Sequence, residues 1–398
     1  MAAQFTSSRR QRAPAIWHPL VDFLLVGGAS VIGGGIMIVW FAYNPDWLAG
    51  FNRFADAGSQ PRDLSNVYLF WLLTLLINHP HFMASYRLLY RSKKQIRTYR
   101  WSSVWIPLLL FAVCVPAVLF LHVPAGNEAN MAMGLPGVGT QGWTYSELVF
   151  LILSVLTIVY LGWHYNLQGW GMTASFAHMH GIRFTDNERR LIKSGFLAMV
   201  VTHAVLYLSW SPLMQIPNWA NAMMQLTLWL PVLGALSLIL GIFGFMKASQ
   251  RTGKRMPINA VTPWFTCLFW YYMVMNYHYV LGIAVFVQIA HALQYLSFTT
   301  RVERNLLSRQ SGIHVLLKWS LVMAGLVLCG WLVFEVSNEI PGLVNDGSKL
   351  YLVFSLELLV ISINIHHFFV DGAIWKISNP EVRNALFAHL KGQHDLHR

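Results

Sequence analysis

Histidines in this chain recur inside apolar stretches, where ionisable side chains are uncommon. The last such stretch carries His366, His367 and Asp371 shortly before Lys376. A lysine often marks where a transmembrane helix meets water, and a helix rises about 1.5 Å per residue, so these side chains are expected roughly 15 Å inside a membrane. Ionisable groups at that depth are costly and usually functional. The stretch therefore predicts a polar layer that can bind a metal ion.

Other apolar stretches place histidines at a similar distance from their own basic ends. The predicted metal ligands are His79, His81, His164, His178, His180, His203, His291, His366 and His367. His278, His314, His389, His394 and His397 look peripheral and are left out. Packing alone does not require such a shared depth, so the coincidence favours a site.

Several of these histidines also have a second interpretation. Pro80 breaks the local ladder of backbone hydrogen bonds. This break either redirects one of His79 and His81 towards a ligand position, or it frees a backbone carbonyl that one of them caps. His203 is either a ligand or a packed core residue. His178 and His180 are expected in a cytoplasmic connection, where they either close the site or are solvated.

Three polar side chains are predicted to act beside the histidines. Asp371 lies four residues after His367, and Gln168 lies four residues after His164, so each pair shares one helix face. Gln294 belongs to a polar stripe at three-residue spacing that includes His291. We predict that Asp371 orients His367 and that the two glutamines act as hydrogen-bond donors.

The residue types narrow the choice of metal. Neutral imidazole suits Fe, Zn, Cu or Ni, whereas Mg²⁺ and Ca²⁺ need more oxygen ligands than this pattern offers. Cys114, Cys267 and Cys329 all lie inside apolar runs and form no CxxC motif, so the sequence supports neither a thiolate metal site nor a disulfide framework.

The composition is typical of a membrane protein. Of the 398 residues, 56% are hydrophobic and only 11% are charged. The formal net charge is +12, but the basic residues are divided among short loops. There they act as orientation signals and can attract membrane lipids, and no nucleic-acid partner is predicted.

Apolar runs of spanning length predict an all-α, polytopic transmembrane helix bundle of about ten spans. They lie near 16–43, 66–90, 102–122, 146–169, 191–210, 222–246, 313–336 and 349–372, and a longer run from 262 to 299 is expected to be a hairpin of two helices turning between Asn276 and Gly282. In this arrangement only Arg53, Arg62 and Lys349 lie on one side of the membrane, and the other basic residues lie on the side that holds both termini. Because basic residues favour the cytoplasmic side, both termini are predicted to be cytoplasmic.

The predicted organisation is a single transmembrane domain over residues 1–398. It consists of a cytoplasmic N-terminal segment (1–15), a helix bundle (16–372) and a cytoplasmic C-terminal tail (373–398). The predicted location is the inner, cytoplasmic membrane of a bacterium.

At residues 79–81, 164–180, 291 and 366–367 the pattern resembles the histidine-box integral-membrane oxidases, the non-haem iron desaturases and hydroxylases. The sequence has HPH, HYNLQ, HALQ and HHFFVD where those families have HxxxH and HxxHH boxes. The membrane carotenoid-cleaving dioxygenases, which hold one iron with scattered histidines, are similar too. These resemblances imply one or two non-haem Fe ions, a lipid-soluble substrate and an electron-donor protein as a possible partner.

The first hypothesis is therefore a metal-dependent oxidoreductase of lipid metabolism, with Phe82, Phe368, Phe369 and Trp163 as walls for an apolar chain. The second is an electron-transfer subunit that binds haem b through pairs of histidines. The third is a proton-coupled transporter that uses buried His and Asp side chains as a relay.

Overall fold

The fold is entirely helical in the part of the chain that can be described. The structure is a computed structural model, and it describes residues 14–44, 65–120, 144–277, 281–307, 314–336, 340, 349–375 and 380–390. These ranges contain no strand, and eight of their helices are long and apolar enough to cross a membrane. The prediction of an all-α polytopic membrane protein is thus confirmed at this level.

Numbered in chain order, the α-helices are α1 (Pro19–Phe23), α2 (Ala29–Tyr43), α3 (Ser65–Leu73), α4 (His79–Leu89), α5 (Lys93–Thr98), α6 (Ile106–Leu119), α7 (Tyr145–Met179), α8 (Asp186–Leu208), α9 (Pro217–Thr227), α10 (Leu230–Thr252), α11 (Ile258–Tyr277), α12 (Leu281–Leu307), α13 (His314–Trp331), α14 (Lys349–Ile374) and α15 (Pro380–Leu386). Four π-helical segments interrupt or extend them, at Leu24–Gly28, Thr74–Asn78, Trp101–Trp105 and Leu332–Val336.

Helices cover all the apolar runs that the sequence indicates. The long run near 262–299 is divided between α11 and α12, as expected for a hairpin, although the three residues between these helices lie outside the described ranges. One run differs, because the expected helix at 222–246 is broken by a turn at Leu228 and Trp229, between α9 and α10.

Helix α7 is longer than expected. It runs for 35 residues and ends only at Met179, with Gly181 (φ +76°) just beyond it. No proline occurs between residues 169 and 179, and Gly169 and Gly171 do not end the helix, so it continues past the apolar run that defines its spanning part. His178 is therefore in the last turn of α7, which corrects its predicted position in a connecting loop.

The first spanning helix is broken between α1 and α2. Gly27 has φ +139°, and a Cβ atom at this position would overlap the side chain of Thr266. The amide of Gln294 donates to the carbonyl of Val26 over 2.7 Å, which satisfies a backbone group freed by the break. Gln294 thus serves the first helix, a role that sequence spacing does not indicate.

Two groups of helices meet at α14. Helix α4 packs against α12, α13 and α14, whereas α7 packs against α8, α11 and α14. Helix α14 therefore lies between α4 and α7, and the side chains on its inner face reach both. The candidate site lies at this junction.

Candidate metal site

Three histidines converge between α4, α7 and α14. His81, His164 and His367 each offer a ring nitrogen, and these atoms all lie within 4.8 Å of one another. All three side chains are buried, and His367 is 0% exposed. Among the described residues this is the one group of three or more His, Cys, Asp or Glu side chains with metal-binding spacing. The structure thus brings together histidines that lie 286 positions apart in the sequence.

A fourth histidine comes from α12. The Nε2 atom of His291 is 2.9 Å from Nε2 of His164, and its ring stacks on Tyr165 with a centroid distance of 3.9 Å. The amide of Gln168 lies 3.2 Å from Nδ1 of His291 and also donates to the His291 carbonyl. Gln168 therefore fixes the ring of His291 on the neighbouring helix, not that of His164 on its own helix.

Asp371 completes the cluster from α14. Its Oδ2 atom lies 3.4 Å from Nε2 of His367 and 3.7 Å from Nε2 of His164. Its other oxygen, Oδ1, accepts hydrogen bonds from Ser85 over 2.7 Å and from Tyr295 over 2.8 Å. One oxygen of the carboxyl group is thus anchored, and the other points at the histidines.

The residues predicted from the sequence do not include the side chains that anchor Asp371. These are Ser85, Tyr295 and Trp375, whose indole N–H donates to the Tyr295 hydroxyl over 2.8 Å. A signal for them exists in the spacing, because each lies four residues after a residue of the site on the same helix: Ser85 after His81, Tyr295 after His291 and Trp375 after Asp371.

Several polar atoms of the cluster have no partner. They are buried and make no hydrogen bond: Nε2 of His81, both ring nitrogens of His367 and Oδ2 of Asp371. The other ring nitrogen of His81, Nδ1, is bonded to the Asn78 carbonyl over 2.8 Å, so Nδ1 carries the proton and Nε2 is the free acceptor. Buried polar atoms without partners are rare in proteins, and the grouping of these atoms is suited to binding a cation.

Aromatic side chains surround the histidines. Phe82 lies 4.5 Å from the His367 ring, and Phe368 stacks on His164 at 5.0 Å between centroids. The other two expected walls lie elsewhere: Phe369 packs on Tyr160, and Trp163 is 46% exposed on the outside of the bundle. Phe82 and Phe368 thus form the apolar enclosure around the histidines.

His79 belongs to a separate polar pair. Its Nε2 atom is 3.6 Å from Oε1 of Glu335, and its ring stacks on Phe334. Trp71 donates to the other oxygen of Glu335 over 3.0 Å. Although His79 and His81 are two residues apart, they face different partners, as expected for that spacing on a helix.

His366 and His203 also face away from the cluster. His366 Nε2 is bonded to the Ser102 carbonyl over 2.6 Å, and its ring stacks on Tyr86. His203 is buried against Tyr207, and its Nδ1 lies 3.3 Å from the Tyr271 hydroxyl. His203 is thus a packed histidine with a hydrogen-bond partner.

The remaining histidines lie at the ends of helices. His178 contacts Phe387 on the chain that follows α15, and His180 is bonded through Nδ1 to the Phe176 carbonyl over 2.9 Å. Of the histidines considered peripheral, His389 is bonded to the Ala15 carbonyl, and His278, His394 and His397 lie outside the described residues. The structure does not bring His178 or His180 to the cluster.

Comparison of the chain with protein-family models, with curated proteins and with solved structures finds no match. The class of protein is therefore defined by the fold and the cluster alone. The chain is a helical membrane protein with a buried group of histidines and one aspartate that fits a metal ion.

Proposed function

We propose that this chain is a membrane-embedded oxidoreductase with one non-haem iron ion, held by His81, His164, His367 and Asp371, and that it acts on a lipid-soluble substrate. His291 lies against this set and is held by Gln168. The other candidate histidines are not part of the proposed centre, because each has partners elsewhere in the fold.

The unpartnered oxygen of Asp371 is the observation that carries the proposal. Trp375 donates to the Tyr295 hydroxyl, and Tyr295 and Ser85 both donate to Oδ1 of Asp371. Hydrogen bonds donated to a carboxyl oxygen favour the charged form of the group. Within the described residues no Lys or Arg is ion-paired with Asp371, and its neighbours are histidines. A cation beside a buried carboxylate stabilises its charge, and a metal ion among these histidines would supply that cation.

The spacing of the donor atoms supports the same conclusion. Ligand nitrogen and oxygen atoms lie about 2.0–2.2 Å from ions of this size, which puts adjacent ligand atoms roughly 3.0–3.6 Å apart in octahedral or tetrahedral geometry. Asp371 Oδ2 is 3.4 Å from His367 Nε2 and 3.7 Å from His164 Nε2, and the ring nitrogens of the three histidine ligands lie within 4.8 Å of one another. Small shifts of the side chains are sufficient to bind one ion.

The donor set favours iron. Neutral imidazoles with one carboxylate are the ligands of many non-haem Fe(II) oxygenases, and such a set leaves coordination positions open. A bound iron ion would supply one-electron and O2 chemistry. Phe82 and Phe368 would exclude water from the ion. Ser85 and Tyr295 would hold the carboxylate of Asp371 in one orientation.

The spacing of His164 and His291 does not favour this pair as haem ligands. Two axial imidazoles bind on opposite sides of a haem iron, about 4 Å apart with the porphyrin plane between them. The Nε2 atoms of His164 and His291 are only 2.9 Å apart. No porphyrin fits between rings that are already in contact.

We predict that the purified protein contains about one iron ion per chain. Elemental analysis of the protein, together with an optical spectrum of the same sample, measures this. The spectrum should lack the strong absorption band of haem. A haem band, or metal-free protein that binds no iron when iron is added under reducing conditions, would contradict the proposal.

We further propose ten spans with both termini in the cytoplasm of a bacterial cell. The number of spans is supported by the eight long apolar helices of the structure, to which α3–α4 and α11 add two. The orientation is supported by the distribution of basic residues along the sequence.

Cysteine substitutions at Gly137 and Gln393, both outside the described residues, test this topology. An impermeant thiol reagent should label Gly137→Cys only from outside the cell and Gln393→Cys only from inside. Labelling of both from the same side would refute the arrangement.

A further inference from the structure

An open apolar groove runs along the outside of the bundle between α6 and α14. Its volume is about 500 Å³, and its walls include Pro107, Leu110, Phe111, Val118, Leu358 and His366. Lining residues extend from Pro107 to Leu119 on α6, a rise of roughly 18 Å at about 1.5 Å per residue. This length is close to the hydrocarbon thickness of one leaflet, which is about 15 Å. The groove thus has the dimensions of a single lipid chain.

The few polar groups in the groove are bonded to one another or to the backbone. Cys114 Sγ and Ser362 Oγ are 3.3 Å apart, and His366 Nε2 is held by the Ser102 carbonyl. Ser355 donates to the carbonyl of Tyr351 on its own helix. What remains for an occupant is hydrocarbon surface.

A cluster of basic side chains lies at one end of the groove. It comprises the exposed residues Arg91, Lys93, Lys94, Arg97 and Arg100, on and around α5. Two hydrogen bonds hold this segment against the start of the α6 helix: Tyr90 donates to the Ser103 carbonyl over 2.9 Å, and Ser103 donates to the Ile96 carbonyl over 2.8 Å. The neighbouring carbonyl of Ser102 binds His366 at the end of the groove. The basic cluster and the groove are therefore adjacent.

The charged residues of the sequence around the basic cluster all have one sign. The sequence from 79 to 120 contains no Asp or Glu. Trp101 and Trp105, which follow the basic cluster, are 68% and 52% exposed, as is typical of tryptophans at the level of lipid headgroups. A positive surface at headgroup depth above a hydrocarbon groove is complementary to a negatively charged lipid.

We propose that the groove and the basic cluster form a binding site for one anionic phospholipid. The lipid phosphate lies against the Lys and Arg side chains of residues 91–100, and one acyl chain lies in the groove between α6 and α14. This site is on a different face of α14 from the cluster of histidines, and it does not depend on the proposed metal.

Native mass spectrometry of the full-length protein with added phosphatidylglycerol or phosphatidylcholine tests the proposal. We expect one phosphatidylglycerol to be retained per chain and phosphatidylcholine to be released. Replacement of Lys93, Lys94 and Arg97 by Gln should lower the preference for phosphatidylglycerol on the order of 100-fold, since each basic side chain near a charged surface contributes roughly five-fold. The same change at Arg189, Arg190 and Lys193 on α8 is the control and should leave the preference unchanged.

A second pair of variants tests the groove itself. Leu110→Trp fills the groove and should abolish retention of the lipid, whereas Leu109→Trp, at a position that is 60% exposed and does not line the groove, should retain it. Equal retention of both lipids by the native protein would overturn the proposal. An equal loss of preference in the α8 control, or full retention by folded Leu110→Trp, would overturn it too. If Leu110→Trp fails to fold, the two sets of Gln variants decide alone.

Discussion

Replacement of His367 by alanine is expected to remove most of the bound metal from an otherwise folded protein. His367 is completely buried, both of its ring nitrogens lack a partner, and it lies within 4.8 Å of the other two histidines of the centre. Loss of residues that merely orient metal ligands typically costs 10–100-fold in affinity, and loss of a ligand should cost at least about 100-fold. Elemental analysis and a metal titration of the variant measure the effect.

His366→Ala is the matched control for this variant. The two histidines are adjacent on α14 and both are buried, but His366 is directed to the Ser102 carbonyl and to Tyr86. Its replacement should cost stability through the lost hydrogen bond, and the metal content should stay at the native level. If both variants lose metal equally, or if neither does, the assignment of His367 as a ligand is wrong.

Replacement of Asp371 by asparagine is expected to have opposite effects on the metal-free and metal-bound proteins. The substitution keeps the shape of the side chain and an oxygen that can accept from Ser85 and Tyr295. Without metal, a buried negative charge with an unpartnered oxygen is removed, so the apo protein should be as stable as the native apo protein or more stable. With metal, a charged ligand is lost and the affinity should fall at least about ten-fold.

Thermal unfolding with and without added Fe(II) measures this prediction. A ligand that binds only the folded state raises the Tm, so the native protein should show a rise on metal addition and Asp371→Asn should show little or none. Asp22→Asn is the control, because both oxygens of this second buried carboxylate accept backbone N–H groups from Ile16 and Trp17. It should lower the Tm of both forms and preserve the rise. An undiminished rise in Asp371→Asn would show that Asp371 does not bind the ion.

The sequence was sufficient to predict the helical class and several members of the cluster. Apolar runs indicate directly which segments lie in a membrane, and the distance of a residue from the basic end of its helix indicates how deep in the membrane it lies. The candidates therefore include His81, His164, His291, His367 and Asp371. The depth of a residue does not indicate in which direction around the helix axis its side chain points. His366 and His367 have nearly the same depth, yet they point about 100° apart, and only packing against α4 and α7 determines which one faces inward.

For the same reason, the sequence does not indicate which side chains of different helices form hydrogen bonds with each other. Gln168 shares a helix face with His164, four residues away, but it binds His291 across the interface. Gln294 satisfies a carbonyl in the first helix at its break beside Gly27, a contact that spacing along the chain does not indicate. The Ser85, Tyr295 and Asp371 network needs α4, α12 and α14 in place before the spacing of its members has meaning.

The junction at α14 has a consequence for how the protein is made. Membrane helices are inserted in the order of their synthesis, so α4, α7 and α12 reach the bilayer before His367 and Asp371 have been translated. Until then, His81, His164 and His291 have no carboxylate to balance a cation, and the centre lacks two of its four proposed ligands. If the proposed iron is bound, its loading should therefore follow insertion of α14, and iron retention by the nascent chain should begin only when this helix has left the translocon.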